Sequence, residues 1–293
     1  MKKIILSISL LISIISLSVG SVSATQIWFV TQGTGGNYQQ NQGHLWSWNP
    51  SNNNVYDRGV LNRGAWGDIA ITPSGDLYGI SWNSGVSGGG TKLYSITPGD
   101  GSNPATFTAV SSSVSPNLNG LGWDNGSFWA TERNGSKVYR WDYISGSWTL
   151  KTFDGAFDSG GDIELGPDGK TLYAVSDGSN PSNLYSVNRT TGVPTNISAL
   201  DHIFYGLASD FSTGKLYGFE NDQQGYGRGS DIYLINPGSS TTGFTLDLAS
   251  TIVGSQDNVW GSTSAIPEPS TILLLGAGLL GFGVISRIRR KNA

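Results

Sequence analysis

The sequence predicts an all-β fold built from five repeated units. Two short motifs recur along the chain, and each interval contains runs of alternating apolar and polar residues separated by turn-forming residues. Alternation with a period of two is typical of half-buried β-strands. The intervals between successive copies of one motif are 48, 45, 46 and 48 residues. A unit of this length that holds four strands is typical of one blade of a β-propeller.

The first motif contains an apolar residue, an aromatic residue, any residue, an apolar residue and a polar residue. Its aromatic positions are Trp46, Tyr94, Tyr139, Tyr185 and Tyr233. A second motif precedes it in each unit, at Trp28-Phe29, Leu77-Tyr78, Phe128-Trp129, Leu172-Tyr173 and Leu216-Tyr217. An open β-sandwich or two small β domains are the alternatives, but equal intervals favour repetition around a ring.

An additional strand opens the second to fifth units, at 68–71, 120–123, 162–165 and 206–209. The first unit lacks this strand, and the segment 256–263 has the residue pattern to supply it. Pairing between the two ends of the chain would close the ring and remove its exposed strand edges. We therefore predict a five-bladed β-propeller over residues 25–264, closed by pairing of its N- and C-terminal strands.

The first 24 residues have the features of a secretory signal peptide. Lys2 and Lys3 precede an apolar stretch over 4–19, and small residues lead up to Ala24. This arrangement predicts export and cleavage after Ala24.

The last 29 residues, 265–293, predict a sorting tail. They contain Pro267, Glu268 and Pro269, then an apolar segment over 271–286 and a basic end over 287–291. The segment is slightly shorter than the ~20 residues of a full membrane span, and its basic end should stay in the cytoplasm.

This order resembles the PEP-CTERM tail of Gram-negative bacteria. The resemblance implies an exosortase-type processing protease as a partner and a precursor anchored in the inner membrane. It also implies delivery to the cell surface or to an exopolysaccharide or biofilm matrix. An ordinary C-terminal anchor without processing is the alternative.

The repeats themselves have a broader resemblance. The strings GPDGKTLYAV at 166–175 and FSTGKLYGF at 211–219 are similar to repeats of the lactonase-like and WD40-like propeller families. This likeness is generic and implies a fold without implying an activity.

Composition restricts the chemistry. The chain has no cysteine, which excludes thiol nucleophiles, disulfides and thiolate metal sites. Between the two terminal segments, 11 basic residues stand against 20 acidic residues, a net charge of −9. Nucleic-acid binding is not expected, because phosphates require a basic surface. An acidic body is better suited to calcium or to neutral sugars.

In a propeller, the loops that enter the first strand and leave the second strand of each blade share one end of the ring. These loops contain the candidate ligand-binding residues Trp66, Trp82, Glu132, Asp177, Tyr205, Glu220 and Asp222. Aromatic faces and carboxylates together would suit a polysaccharide. Glu132, Asp177 and Glu220 are also candidate ligands for Ca²⁺, which prefers six to eight oxygen atoms.

Structural roles compete with these assignments. Trp66, Trp123 and Trp260 are also suited to packing between blades. Asp68 and Asp162 each follow a glycine, and we expect their carboxylates to accept hydrogen bonds from backbone N–H groups.

Catalytic signals are weak, since the chain has only two histidines, His44 and His202, in different units. The sequence therefore favours an exported propeller that binds polysaccharide or an envelope protein without catalysis, and no catalytic residue is assigned. A calcium-dependent hydrolase or lyase and a purely structural matrix component are the alternatives.

Overall fold

The computed structural model describes residues 26–31, 43–62, 66–82, 90–115, 117–154, 160–176, 182–221, 231–236, 245–251 and 259–266. These residues form five four-stranded antiparallel sheets. The sheets are the blades of a propeller, so the predicted fold class is confirmed. None of the described residues belongs to a helix long and apolar enough to cross a membrane. Residues 1–24, which the sequence predicts to be a signal peptide, and the apolar tail segment 271–286 lie outside the described residues.

The four strands of each blade follow one another from the ring axis outward. Blade 1 contains β20 (Val259–Ser264), β1 (Ile27–Thr31), β2 (Gly43–Asn49) and β3 (Asn54–Leu61). Blade 2 contains β4 (Trp66–Ile71), β5 (Leu77–Trp82), β6 (Thr91–Thr97) and β7 (Thr106–Ala109). Blade 3 contains β8 (Leu118–Asp124), β9 (Ser127–Glu132), β10 (Lys137–Ile144) and β11 (Ser147–Asp154). Blade 4 contains β12 (Gly160–Leu165), β13 (Leu172–Ser176), β14 (Asn183–Val187) and β15 (Pro194–Ala199). Blade 5 contains β16 (Phe204–Asp210), β17 (Lys215–Glu220), β18 (Asp231–Asn236) and β19 (Thr245–Thr251).

The two ends of the chain meet in blade 1. Strand β20 pairs antiparallel with β1, and Ile27 lies opposite Ser264 at the start of this register. The inner strand that the first unit lacks is β20, at Val259–Ser264, which overlaps the predicted closing segment 256–263; residues 256–258 lie outside the described residues. This pairing confirms closure of the ring by the N- and C-terminal strands.

Apolar side chains fill the boundaries between blades. Five separate clusters of buried residues each join two neighbouring blades, and one of them joins blade 5 to blade 1. In that cluster the ring of Trp48 meets Tyr217 edge-on at 5.1 Å and Phe219 at 6.2 Å. The last and first blades are thus packed against each other in the same way as the blades between them.

The inner strands approach one another closely at the axis. A side chain at Gly122 would collide with the carbonyl oxygen of Ile163 in the next blade. A side chain at Gly261 would collide with the carboxylate of Asp68. Glycine is therefore required at both positions, because only a residue without Cβ allows these backbones to come so near.

Removal of β20 should prevent stable folding. A chain that ends at Thr251 loses the partner of β1 and uncovers Phe29, which is fully buried in the intact protein. We expect a loss of more than about 5 kcal/mol in the free energy of unfolding, a large part of the stability of a typical domain. Thermal unfolding followed by circular dichroism measures this, with a chain ending at Ile266 as the control. An unchanged melting temperature in the shorter chain would contradict ring closure.

Candidate functional site

The two ends of the ring differ in their connections. Inner strands begin and second strands end at the same side, as the pairing of Leu118 with Glu132 and of Phe204 with Glu220 shows. We call this end the loop face, and we call the opposite end, which includes the tight turn Asn125-Gly126, the turn face. Glu132 and Glu220 therefore lie on the loop face, where the sequence placed them.

Two buried aspartates lie on the ring axis between these faces. Asp68 accepts hydrogen bonds from the backbone N–H of Ile69 at 2.7 Å and from that of Leu121, in the next blade, at 2.7 Å. Asp162 accepts equivalent bonds from Ile163 at 2.5 Å and from Leu207 in the next blade. The backbone N–H of Ser262, in blade 1, also bonds to Asp162. The expectation that both carboxylates bind backbone N–H groups is confirmed, and each of them accepts a bond from a neighbouring blade.

The two aspartates also share a hydrogen bond across the axis, which requires one of them to be protonated. Burial raises the pKa of Asp68 well above its ordinary value, and the adjacent charge of Asp162 raises it further. Burial raises the pKa of Asp162 to about 7. The pair therefore holds one proton, which forms the hydrogen bond between the two carboxyl groups.

A third carboxyl group, Glu164, reaches from blade 4 to blade 1. The Oε1 atom of Glu164 accepts two hydrogen bonds from Ser264, one from its hydroxyl at 3.0 Å and one from its backbone N–H at 3.3 Å. Burial raises its pKa well above the ordinary value, and the charge of Asp162 adds to the effect. Because internal donors occupy all three carboxyl groups, the axis is a polar core that joins the blades.

Three side chains from different blades meet at the loop-face end of the axis. The guanidinium of Arg133, from blade 3, lies 5.9 Å from the ring centre of Trp260 in blade 1. The ring of Tyr205, from blade 5, lies 5.4 Å from the same indole. Arg133 and Trp260 are partly exposed, whereas Tyr205 is almost completely buried. We call Arg133, Tyr205 and Trp260 the axial cluster.

The carboxylate of Glu220 has a partner within blade 5. It lies 2.7 Å from Nδ1 of His202, and the imidazole packs on the ring of Tyr233 at 4.3 Å. Glu132 folds back over Gly135 in its own loop. The described part of the chain contains no group of three or more acidic or histidine side chains that could hold a metal ion. Glu132 and Glu220 thus do not fit a common calcium site in the described structure, and Asp177 lies outside it.

The other sequence candidates have different positions. Trp66 is 1% exposed and packs edge-on against Tyr94 and Phe107, so it is a packing residue and is removed from the binding candidates. The backbone of Trp82 ends β5 on the loop face. Asp177 and Asp222 lie outside the described residues.

The sequence did not predict the contact between Arg133 and Trp260. The two residues are 127 positions apart in sequence and belong to blades that are not neighbours in the ring. The available signal was the short loop from Glu132 to Ser136, which leaves Arg133 directly at the end of an inner pair of strands. Blade geometry alone does not give the direction of so long a side chain.

A family model describes the C-terminal segment. Residues 265–290 match the PEP-CTERM protein-sorting motif. This motif marks proteins that are exported, anchored in the membrane before exosortase processing and then moved to the cell surface. The chain is therefore a PEP-CTERM-sorted exported protein with a β-propeller body.

Solved structures share the fold at low identity. A chain in the crystal structure of a nidogen/laminin complex matches with a TM-score of 0.55 and 9% identity, over 84% of this chain and 100% of that chain. A 6-phosphogluconolactonase candidate from Bacteroides fragilis matches with a TM-score of 0.45 and 12% identity, over 84% of this chain and 99% of that chain. No curated protein sequence matches the chain.

Protonation of the axial carboxyl groups should make stability depend on pH. Their pKa values are raised in the folded state, so the folded protein binds more protons than the unfolded chain between about pH 4 and 7. The free energy of unfolding should therefore fall as pH rises through this window. Asp68→Asn should make this fall smaller, because the amide donates to Asp162 at every pH.

Urea unfolding at intervals from pH 4 to 8 measures this difference. Asp76→Asn, which removes an exposed carboxyl group from the same blade, is the control and should follow the wild-type curve. A fall in the Asp68→Asn protein as steep as that of the wild type would contradict the shared proton.

Proposed function

We propose that this protein is a binding protein of the bacterial cell surface whose loop face holds polysaccharide without catalysing its cleavage. The observation on which the proposal rests is the axial cluster, in which Arg133 is held over the partly exposed indole of Trp260. A guanidinium has five N–H donors in a rigid plane, and stacking on an aromatic ring fixes the orientation of that plane. Such a group is suited to the closely spaced oxygen atoms of a sugar chain.

The position of the cluster supports the same ligand class. Propeller loops on a rigid scaffold are common locations for binding residues. The candidate residues Trp82, Glu132, Glu220, Asp177 and Asp222 remain part of this proposal as further candidate ligand contacts. The excess of acidic residues in the body disfavours a strongly anionic polymer, so the proposed ligand is a polysaccharide rich in neutral hydroxyl groups.

The destination of the protein agrees with this ligand. A protein moved to the cell surface by the PEP-CTERM route would meet any exopolysaccharide that its own cell produces. A calcium-dependent hydrolase or lyase is the rival function, and it would need a calcium site that the described carboxylates do not form.

Loss of Arg133 should weaken polysaccharide binding. We expect Arg133→Ala to reduce affinity for the purified exopolysaccharide of the host by at least about tenfold, because a hydrogen bond from a charged group contributes about 1.5–3 kcal/mol. Affinity electrophoresis of the full chain in gels containing the polymer measures this. Lys137→Ala is the matched control, since it removes an exposed positive charge from the same blade.

Equal retardation of the two variants and the wild type would contradict the proposed site. An increase in reducing ends or unsaturated ends in the polymer would contradict the absence of catalysis.

Processing of the tail should be visible as a mass difference. Protein recovered from the surface of the native host should lack residues 1–24 and the segment from about Pro267 onward. Intact-mass spectrometry measures both ends, and replacement of Pro267, Glu268 and Pro269 by alanine should leave the tail attached. A surface protein that retains the basic residues 287–291 would contradict cleavage and favour a plain anchor.

A further inference from the structure

A second concave surface lies on the turn face, between blades 2 and 3. It is a cleft of about 720 Å³ lined by the aromatic side chains of Tyr78, Trp123, Tyr143 and Trp148. We call it the aromatic cleft. Its volume lies within the range of about 300–1,000 Å³ that is usual for small-molecule sites. It is separate from the axial cluster, which lies on the loop face.

Two tight hairpins shape the cleft. The turns Asn125-Gly126 and Ser145-Gly146 have positive φ at both central positions, with values of 46° and 82° in the first and 48° and 87° in the second. This is the two-residue hairpin geometry that matches the twist of paired strands. Gly126 and Gly146 have open space where a side chain would be, so the turns border the cleft without filling it.

The aromatic rings of the cleft pack against one buried phenylalanine. Phe128 is fully buried, and its ring centre lies 4.8 Å from that of Tyr78, 4.7 Å from that of Trp123 and 5.1 Å from that of Trp148. Tyr143 lies directly opposite Trp148 in the β10–β11 pair and meets it at 5.1 Å with an angle of 60° between the rings. The rings thus line the cleft on several sides, and the buried ring of Phe128 and the β10–β11 strand pair hold them in place.

The chemistry of the lining defines a ligand class. Among the residues that the structure describes, no charged side chain lines the cleft. These residues therefore offer no opposite charge to a charged ligand, which favours a neutral one. The indole N–H and phenol O–H groups give the aromatic walls polar edges that can bond to hydroxyl groups. Tyr143 is 59% exposed, which is a large apolar surface to leave in water on a folded protein. A ligand with apolar C–H faces and a rim of hydroxyl groups is complementary to both features.

We propose that the aromatic cleft is a second binding site, which takes a few consecutive sugar units of a neutral polysaccharide. The proposal rests on the proposed function for its ligand class, and its location is independent of the axial cluster. A proline-rich peptide also stacks on aromatic grooves. Its peptide carbonyls only accept hydrogen bonds, however, whereas a tyrosine hydroxyl both donates and accepts, as sugar hydroxyls do. The mixed donor and acceptor character of the cleft therefore favours the sugar.

The test uses short neutral oligosaccharides, cellohexaose and maltohexaose, with isothermal titration of the full chain. We expect at least one of them to bind, Tyr143→Ala to weaken its binding at least tenfold, and Tyr143→Phe, which keeps the ring, to weaken it less than threefold. Tyr56→Ala is the matched control, because Tyr56 is an exposed strand tyrosine in blade 1, away from the cleft. Gly126→Asn supplies a second variant, since asparagine tolerates positive φ and its side chain would obstruct the cleft.

The outcomes distinguish the two sites. Binding that Tyr143→Ala and Gly126→Asn weaken and Arg133→Ala does not would support the aromatic cleft. Binding that only Arg133→Ala weakens would overturn the cleft and leave the proposed function intact. Absence of binding by both oligosaccharides, or binding of a decaproline peptide that Tyr143→Ala abolishes, would also overturn the sugar site. In these last cases, the exopolysaccharide measurement with Arg133→Ala still decides the proposed function separately.

Discussion

The shared proton between Asp68 and Asp162 is the interaction on which the centre of this propeller depends. Five inner strands meet at the axis, and two charged carboxylates there would repel each other without water to screen them. One proton converts this repulsion into a hydrogen bond, and each aspartate then accepts backbone donors from the next blade. The same two side chains therefore satisfy buried backbone groups and join blades on opposite sides of the axis.

Closure of the ring follows from the same need to leave no polar group unsatisfied. In an open array, β1 would present an unpaired edge and the apolar face of blade 1 would be uncovered. Strand β20 removes both costs, because it pairs with β1 and belongs to the strand layer that surrounds the axis. Ser264, at its end, donates to Glu164 of blade 4, so the closing strand is also part of the axial polar core. Hydrophobic packing between blades and hydrogen bonding at the axis thus stabilise the same closed arrangement.

Much of this architecture could be predicted from the sequence because it depends on local, repeated signals. The alternation of apolar and polar residues predicted the strands, and the equal intervals between motifs predicted the blades. Because the first unit lacks an inner strand, the segment 256–263 was predicted to close the ring. The Gly-Asp-Ile sequence at Asp68 and Asp162 indicated backbone acceptors. The shared proton was beyond sequence reasoning, because it depends on an approach between residues from blades 2 and 4 that only the assembled ring creates. Trp66 shows the opposite limit. Its strand begins on the loop face, and the sequence pattern made it a binding candidate, but its side chain is buried in the core.

The two faces of the ring use aromatic residues under different constraints. On the loop face, Trp260 is close to the axis and lies between Arg133 and Tyr205, so its surface is largely covered by protein. On the turn face, Gly126 and Gly146 leave open space at the hairpins of blade 3, and Tyr143 is 59% exposed. A rigid ring holds these two surfaces at a fixed separation on opposite ends of one chain. Suppose that the axial cluster and the aromatic cleft bind the same polymer. Binding at one site then raises the effective concentration of the polymer at the other site only when the polymer can bend around the ring. For a stiff polymer, the two sites would instead bind separate strands, and the protein would link strands of the matrix to one another.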